Sequence, residues 1–492
     1  MSEFVQKSLS DVYFDVSSAE DRYASLQARF LDSFGAKPDF MVRSPGRVNI
    51  IGDHIDYSFF NCLPAAISFD VVMAVRVLDA PAADETAKVE LVNLDSRFPS
   101  AQFDAVPHVQ IEGQSWANYF KCSWVTGIRY LRDHGLWNSS LKLPHVQIAV
   151  SGNVPAGGGL SSSAAFVVTG TLATLRSIAK DNVHIDHQGL TKLSATCEQL
   201  VGVNSGGMDQ AASIFGKKDH ALLVSFRPDL TVQPMRFPSR EDPLVFLIAN
   251  SLVVANKLET APIHYNLRVV EVTVAANILA KKLGGLEIPQ DGNLHSGTLY
   301  GVLEARYGAS PSPKSLTAMV EAVEKHLDPA GYTREQVAEI LEISVSEVEQ
   351  KFMSEFPVRF EKLQLYQRAK HVYEETLRVL DFVDAMQHSE SVQVLGDLMN
   401  ASQDSAIKLY ENSHPDCDEM CRIARSAGSL GSRTTGAGWG GCTVHLVERS
   451  RAETVRRALE TEYYAVKHPN APKEALVESR PSSGVALFEG PF

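Results

Sequence analysis

Apolar residues change their spacing along this 492-residue chain, and each change predicts an element. Tyr23, Leu26, Phe30, Leu31 and Phe34 recur at helical spacing. Ser17-Ser-Ala-Glu20 ahead of them resembles a capping box, and Gly35 ends the run, so a first helix is predicted here. Val48, Ile50 and Ile51 predict a short buried strand, and Phe69 to Leu78 and Val89 to Leu94 predict two more. Val146, Ile148 and Val150 alternate as a half-buried strand does. Pro155 and three consecutive glycines then break the pattern, serines suited to an N-cap follow, and Leu172, Leu175 and Ile178 return at helical spacing. That stretch predicts a strand, a glycine loop and the start of a helix. Leu190 to Val201 reads as helical, Phe246 to Val254 as a buried strand, and a helix runs from beyond Tyr265 to about Lys282.

The remaining stretches are plainer. Trp116, Tyr119 and Phe120 sit in an amphipathic segment, and an aromatic stripe of this kind is more often core than a nucleotide wall. Pro, Arg and Asp gather between Pro234 and Pro243, which places a boundary between a lobe of residues 1–238 and a lobe of residues 239–492. From Gly284 to about Tyr332 the pattern is least regular, and Ser310-Pro-Ser-Pro313 reads as a surface loop. Thr333 to Met353 can be drawn as a helix-turn-helix. Its Glu335, Glu339, Glu342, Glu347 and Glu349 would repel phosphates, which favours plain helical packing over DNA binding. A dense glycine stretch, Gly436-Ala-Gly438-Trp-Gly440-Gly441, leads into a strand from Thr443 to Val447.

Composition narrows the class. The chain is 44% hydrophobic and 21% charged, as globular proteins are, and its net charge of −13 disfavours nucleic acid or an anionic membrane as main partner. No apolar run approaches the ~18 residues of a membrane span, and Met-Ser-Glu-Phe-Val-Gln-Lys at the start has no signal-peptide core. Cysteines 62, 122, 197, 417, 421 and 442 are scattered, which suits reduced thiols and a cytoplasmic location. Cys417 and Cys421 have no second ligand pair nearby, so zinc is not expected there.

Three polar clusters carry candidate chemistry. The first amides of a helix have no partner within it, and glycines let a backbone close on phosphate, so Ala156 to Ser163 suits an anion. No Gly-Lys-Ser/Thr follows, so this is no Walker A loop, and a turn capping a structural helix remains the alternative. Arg47, Asp53, His54 and Asp56 cluster at a strand end, where they suit either a polyol or phosphate site or a solvated turn. Asp209 follows Gly206-Gly-Met and opens a helical run, a position that capping alone would also explain.

Taken together, these stretches resemble one family. Pro45-Gly-Arg-Val-Asn-Ile-Ile-Gly-Asp-His-Ile-Asp-Tyr57 resembles the galactokinase signature, and Pro155-Ala-Gly-Gly-Gly-Leu-Ser-Ser-Ser-Ala164 is similar to the phosphate loop of the GHMP small-molecule kinases. Gly436 to Gly441 looks like that superfamily's third motif, and the order and separations match as well. Thr260 to Arg268 and Leu365 to His371 resemble fungal galactokinases. The resemblance implies an α+β GHMP kinase fold: an N-terminal ribosomal-S5-domain-2-like lobe with a left-handed crossover, and a ferredoxin-like C-terminal lobe, with the active site between them. It implies that Arg47, Asp53, His54 and Asp56 line galactose, that Asp209 touches the attacking hydroxyl, and that Gly206 and Tyr265 complete the sugar pocket. Gly157, Gly159, Ser161 and Ser162 would hold the ATP phosphates, with Asn256 and Lys257 on the nucleotide side. Glu198 and Ser162 would hold Mg²⁺, and Trp116 and Tyr119 match a segment near the base. The family usually has Glu where this chain has Asp53, and the shorter side chain loosens one sugar contact.

The implied activity is transfer of the γ-phosphoryl of ATP to the anomeric hydroxyl of α-D-galactose, the first committed step of galactose catabolism, by a monomer. Arg47 would offset charge on the phosphoryl group, and Asp209 would accept or orient the hydroxyl proton. Two alternatives share the motifs: an N-acetylgalactosamine kinase, and a galactose- and ATP-binding sensor that engages a transcriptional repressor. Catalytically dead sensors lose residues of the Ser-Ser-Ser-Ala-Ala stretch. Ser161 to Ala165 is intact here, so a working kinase is expected.

Overall fold

The computed structural model describes the chain except residues 81–84, 114, 156–157, 201–205, 254–259, 309, 356, 390 and 491–492 and the side chains of Glu198 and Gln199. Its first sheet has six strands: β1 (Phe40–Ile51), β2 (Leu63–Leu78), β3 (Lys88–Asn93), β4 (Ala101–Asp104), β5 (His145–Gly152) and β12 (Ala486–Glu489), in the order β12-β1-β2-β5-β3-β4. All neighbours are antiparallel except β3 and β5. The central strands are covered on both faces. Val42, Met73, Val75 and Val150 face one core with the helices Ala117–Asp133 and Ser162–Ala179. Met41, Val72, Ala74 and Ala149 face a second core with the helix Val16–Phe34. Burial on both sides is why these strands read as nearly continuous apolar runs.

A second sheet joins β8 (Leu244–Asn250), β9 (Gly431–Thr434), β10 (Cys442–Glu448) and β11 (Leu476–Ser479) in the antiparallel order β11-β8-β10-β9. The hairpin of β6 (His220–Ser225) and β7 (Thr231–Arg236) precedes it, so the chain passes between the sheets near Pro234 to Pro243. The last strand then returns: β12 pairs with β1, so both ends of the chain build the first lobe. One continuous core runs from Val48, Ile50, Ile55 and Tyr57 of the first lobe to Val270, Val372 and Val379 on the helices Tyr265–Lys282 and Leu365–His388. The end of β1 is thereby embedded between the lobes.

Two local expectations are corrected. Ser17 does not cap the first helix; Asp15 does, accepting from the Ser18 amide at 3.1 Å, and Ser17 to Glu20 lie inside the helix. Aspartate is an equally good cap, so the choice fell to the residue that precedes the first buried turn. The stretch read as irregular contains the helices Leu299–Tyr307 and Pro313–His326. Ser312 caps the second, and Pro313 occupies its first turn, where a missing N–H costs nothing, so a Ser-Pro pair read as a loop is a helix start. Thr333 to Met353 forms two short capped helices, Arg334–Leu341 and Val345–Met353. Among the described residues no helix is long and apolar enough to cross a membrane.

Candidate active site

β1 carries the first functional side chain. Its pairing with β2 shifts register between Pro45 and Arg47, where proline has no N–H for the ladder. The extra residues of this bulge lie on β2, between Ala66 and Asp70, and the Arg47 amide donates to the Leu160 carbonyl at 3.1 Å. The Arg47 guanidinium, only 5% exposed, meets Asp209 Oδ1 through Nε at 2.8 Å and Nη2 at 2.7 Å, and its Nη1 donates to the Gly159 carbonyl at 2.6 Å. Asp209 sits in the first turn of the helix Met208–Phe215, and its other oxygen accepts from the Ser161 hydroxyl. One arginine thus ties the glycine loop to the helix that presents Asp209. Ser161 caps the helix Ser162–Ala179 in position, but its hydroxyl faces Asp209 and makes no cap bond, so the first-turn amides keep no side-chain acceptor.

Asp56 lies behind this group, 6% exposed. Burial, then the charge of Asp209, push its carboxyl up to about 7. Gly206 lies against it so closely that a Cβ at this position would overlap the Asp56 carboxylate. Glycine is therefore required there for packing.

The next two acidic-cluster residues reach the other lobe. Asp53, 2% exposed, accepts from Asn49 Nδ2 at 2.8 Å and from Arg433 Nη1 on β9 at 2.6 Å. Burial raises its pKa, and Arg433 and then Arg47 oppose the rise. His54 Nε2 lies 2.8 Å from the Ala437 carbonyl, and Nδ1 lies 2.9 Å from the Tyr57 hydroxyl. A carbonyl only accepts, so in the neutral ring Nε2 carries the proton and Tyr57 donates to Nδ1. Tyr57 then accepts from the Tyr410 hydroxyl at 2.5 Å. Tyr265 and Trp439 complete an aromatic wall around His54, with ring centroids at 5.3 and 5.6 Å.

The two glycine loops meet across the lobes. The Cys442 amide donates to the Gly158 carbonyl at 2.9 Å, and a Cβ on Gly159, where φ is +75°, would come within 2.9 Å of the Thr435 carbonyl. Thr435 Oγ1 accepts from the Asn49 amide at 2.8 Å, so the residue that leads into the third motif also grips β1. Beyond the helix start, Trp116 and Tyr119 pack with Phe166, and Trp116 also meets Phe98.

Matches to known families follow these motifs. The galactokinase galactose-binding signature matches residues 28–77, the GHMP kinases N terminal domain residues 118–217, and the GHMP kinases C terminal domain residues 382–465. Galactokinase of Saccharomyces cerevisiae is 42% identical over 505 residues, spanning 95% of each chain. The chain belongs to the galactokinase family. Galactokinase of Candida albicans is 41% identical over 513 residues, 97% of each chain. Among solved structures, Lactococcus lactis galactokinase complexed with galactose aligns with a TM-score of 0.69 over 94% of this chain and 99% of that one. At 24% identity that likeness speaks for the fold, the two-lobed GHMP kinase fold.

The structure brings together Arg47, Asp53, His54, Asp56, Gly159, Ser161, Gly206, Asp209 and Tyr265, all expected in the galactokinase site. Asp53 and the ring nitrogens of His54 are engaged with protein groups. Ser162 is the first residue of its helix, while Trp116 and Tyr119 stand apart in their own aromatic group. Gly157, Asn256, Lys257 and the Glu198 side chain lie outside the described residues. Arg433, Asn49, Thr435 and Tyr410 were not singled out from sequence. The first three lie inside stretches dominated by glycines and carboxylates, and Tyr410 has no local signal.

Proposed function

We infer that the protein is an ATP-dependent galactokinase that phosphorylates the C1 hydroxyl of α-D-galactose. The observation that carries this reading is the junction of Arg47, Asp209, Ser161 and the Gly159 carbonyl, which puts a carboxylate, a cation and a helix start at one point between the lobes. Asp209 accepts or orients the proton of the attacking hydroxyl. Arg47 balances charge near the transferred phosphoryl group and fixes the Asp209 carboxylate. Asp56 accepts a sugar hydroxyl, and Tyr265 supplies an apolar wall. The amides at the start of Ser162–Ala179 bind phosphate oxygens through partial charge alone. Trp116 and Tyr119, with Phe166, border the base.

Ser162 and Glu198 stand on helices that pack together, and a hydroxyl with a carboxylate is the oxygen donor set Mg²⁺ takes. When bound, the ion would supply positive charge to the polyphosphate. The six described cysteines are free and buried, which supports a cytoplasmic setting.

The deciding experiment is an ADP-release assay with galactose and with N-acetylgalactosamine. Faster turnover on galactose is expected. Galactose binding without ADP release would instead favour a sensor of the repressor-engaging kind, and preferential turnover of the N-acetylated sugar would favour the other kinase.

Asp56 gives the reaction a pH signature. A sugar hydroxyl donates best to an ionised carboxylate, so kcat/KM for galactose rises with pH through about 7. In Asp56→Asn that rise is absent and KM for galactose is higher at every pH; a rise that persists in this variant removes Asp56 from the role. The stability effect runs the other way. The folded state holds a proton on Asp56 up to about 7, whereas the unfolded chain loses it near about 4. The contribution of Asp56 to stability therefore falls as pH rises between these values and is constant above them.

A further inference from the structure

The turn that carries Asp53, His54 and Asp56 begins at Gly52, where φ is +94°. Its amide has no strand partner left and donates instead to Glu375 Oε1 at 2.8 Å. Glu375 belongs to the helix Leu365–His388, 323 residues further along the chain, and is wholly buried. Its carboxylate is fully engaged: Ser402 Oγ donates to Oε1 at 2.6 Å, and Arg378 Nε donates to Oε2 at 2.7 Å. Burial works against ionisation, but Arg378, then Arg433 and His371, outweigh it and hold the group down at about 2. The same helix closes on the turn sterically, since a Cβ on Gly52 would come within 2.9 Å of Val379 Cγ2.

The turn is therefore pinned from the C-terminal lobe at three successive residues: Gly52 by Glu375, Asp53 by Arg433, and His54 by the Ala437 carbonyl. The second and third pins hold side chains. The first holds the backbone itself, at the point where the chain leaves β1. A shift there displaces Asp56 and its neighbour Gly206, whereas Arg47 is anchored separately through Gly159 and Asp209.

We propose that Glu375 is a positioning residue for sugar recognition, which acts on galactose through the Gly52 amide and leaves the nucleotide side untouched. This rests on the galactokinase reading above. A neutral amide is insufficient here: Glu375→Gln has one oxygen to offer and cannot serve both the Gly52 amide and Arg378. Glu375→Asp keeps the charge, but its carboxylate draws back by a methylene from Gly52, Ser402 and Arg378 alike. Losing a hydrogen bond to a charged group of this kind corresponds to about tenfold in an equilibrium constant.

The test measures KM for galactose and for ATP in the wild-type protein, both Glu375 variants and Ser402→Ala. The serine variant removes a bond to the same carboxylate oxygen but spares the Gly52 contact, so it reports lost stability alone. Expected is a KM for galactose raised about tenfold in both Glu375 variants, with KM for ATP within about twofold of wild type and Ser402→Ala unchanged in both. An unchanged KM for galactose in Glu375→Asp would overturn the proposal. So would an equal rise in Ser402→Ala, or a parallel rise in KM for ATP. A wild-type protein that releases no ADP with galactose would instead refute the functional reading itself.

Discussion

Replacing Asp209 by asparagine is expected to lower kcat for galactose phosphorylation by about a thousandfold or more, while galactose binding stays within a few-fold of wild type. The substitution is nearly isosteric. The oxygen of the new amide can still face Arg47, which holds one oxygen of the carboxylate at 2.7 Å, and its NH₂ can donate to Ser161, which faces the other oxygen. The scaffold therefore survives the change. What is lost is the acceptor for the proton of the attacking hydroxyl, and with it the negative charge that Arg47 balances. An effect concentrated in kcat distinguishes Asp209 from Asp56, whose loss acts on KM. An ADP-release assay together with calorimetric titration of galactose checks both halves. Turnover within tenfold of wild type would remove Asp209 from the chemistry, and loss of galactose binding would reassign it to substrate recognition.

Local chemistry was legible in the sequence where the cause lies within a few residues. The alternation of Val146 to Val150 and the serine run describe β5 and the start of the following helix with little error, because each signal is set by its immediate neighbours. The end of the first helix was equally clear, since Gly35 adopts a left-handed conformation there. Extent was harder to read. Val48 to Ile51 is only the end of a strand that begins at Phe40, and its beginning is paired with β12 at the far end of the chain. No local pattern announces a partner from the opposite end of the sequence.

The site divides along the same line. That Asp53 and His54 belong to a functional turn was evident from their motif. That they grip the other lobe was not, because Arg433 and Ala437 lie 380 and 383 residues from them. Glu375 lies beside Glu374 in an amphipathic helix, and only the structure shows that the former is buried at 0% exposure. Spacing on one helix tells which face a residue shares, but it does not reveal which backbone amide from a distant strand will meet it.

Arg433→Met is expected to destabilise the folded protein by about 3–5 kcal/mol, the cost of removing one partner of a buried ion pair. Asp53 would be left 2% exposed with Asn49 as its remaining side-chain donor, and Arg433 is the largest influence opposing the upward push of burial on its pKa. Without the guanidinium the carboxyl is driven further up. A raised folded-state pKa costs stability as pH increases, because the unfolded chain then ionises first. The deficit relative to wild type should accordingly widen from about pH 5 to about pH 8 and narrow on acidification. Asp53→Asn in the same background removes the stranded charge and should recover much of the loss, whereas an independent site would simply add its own cost. Urea unfolding of the two single variants and the double variant at both pH values gives the coupling directly. A pH-independent deficit below about 1 kcal/mol would show that the pair is solvated, and the hold of the C-terminal lobe on the signature turn would then be carried by the Thr435 bonds to Asn49, the Glu375 bond to Gly52 and the Ala437 carbonyl.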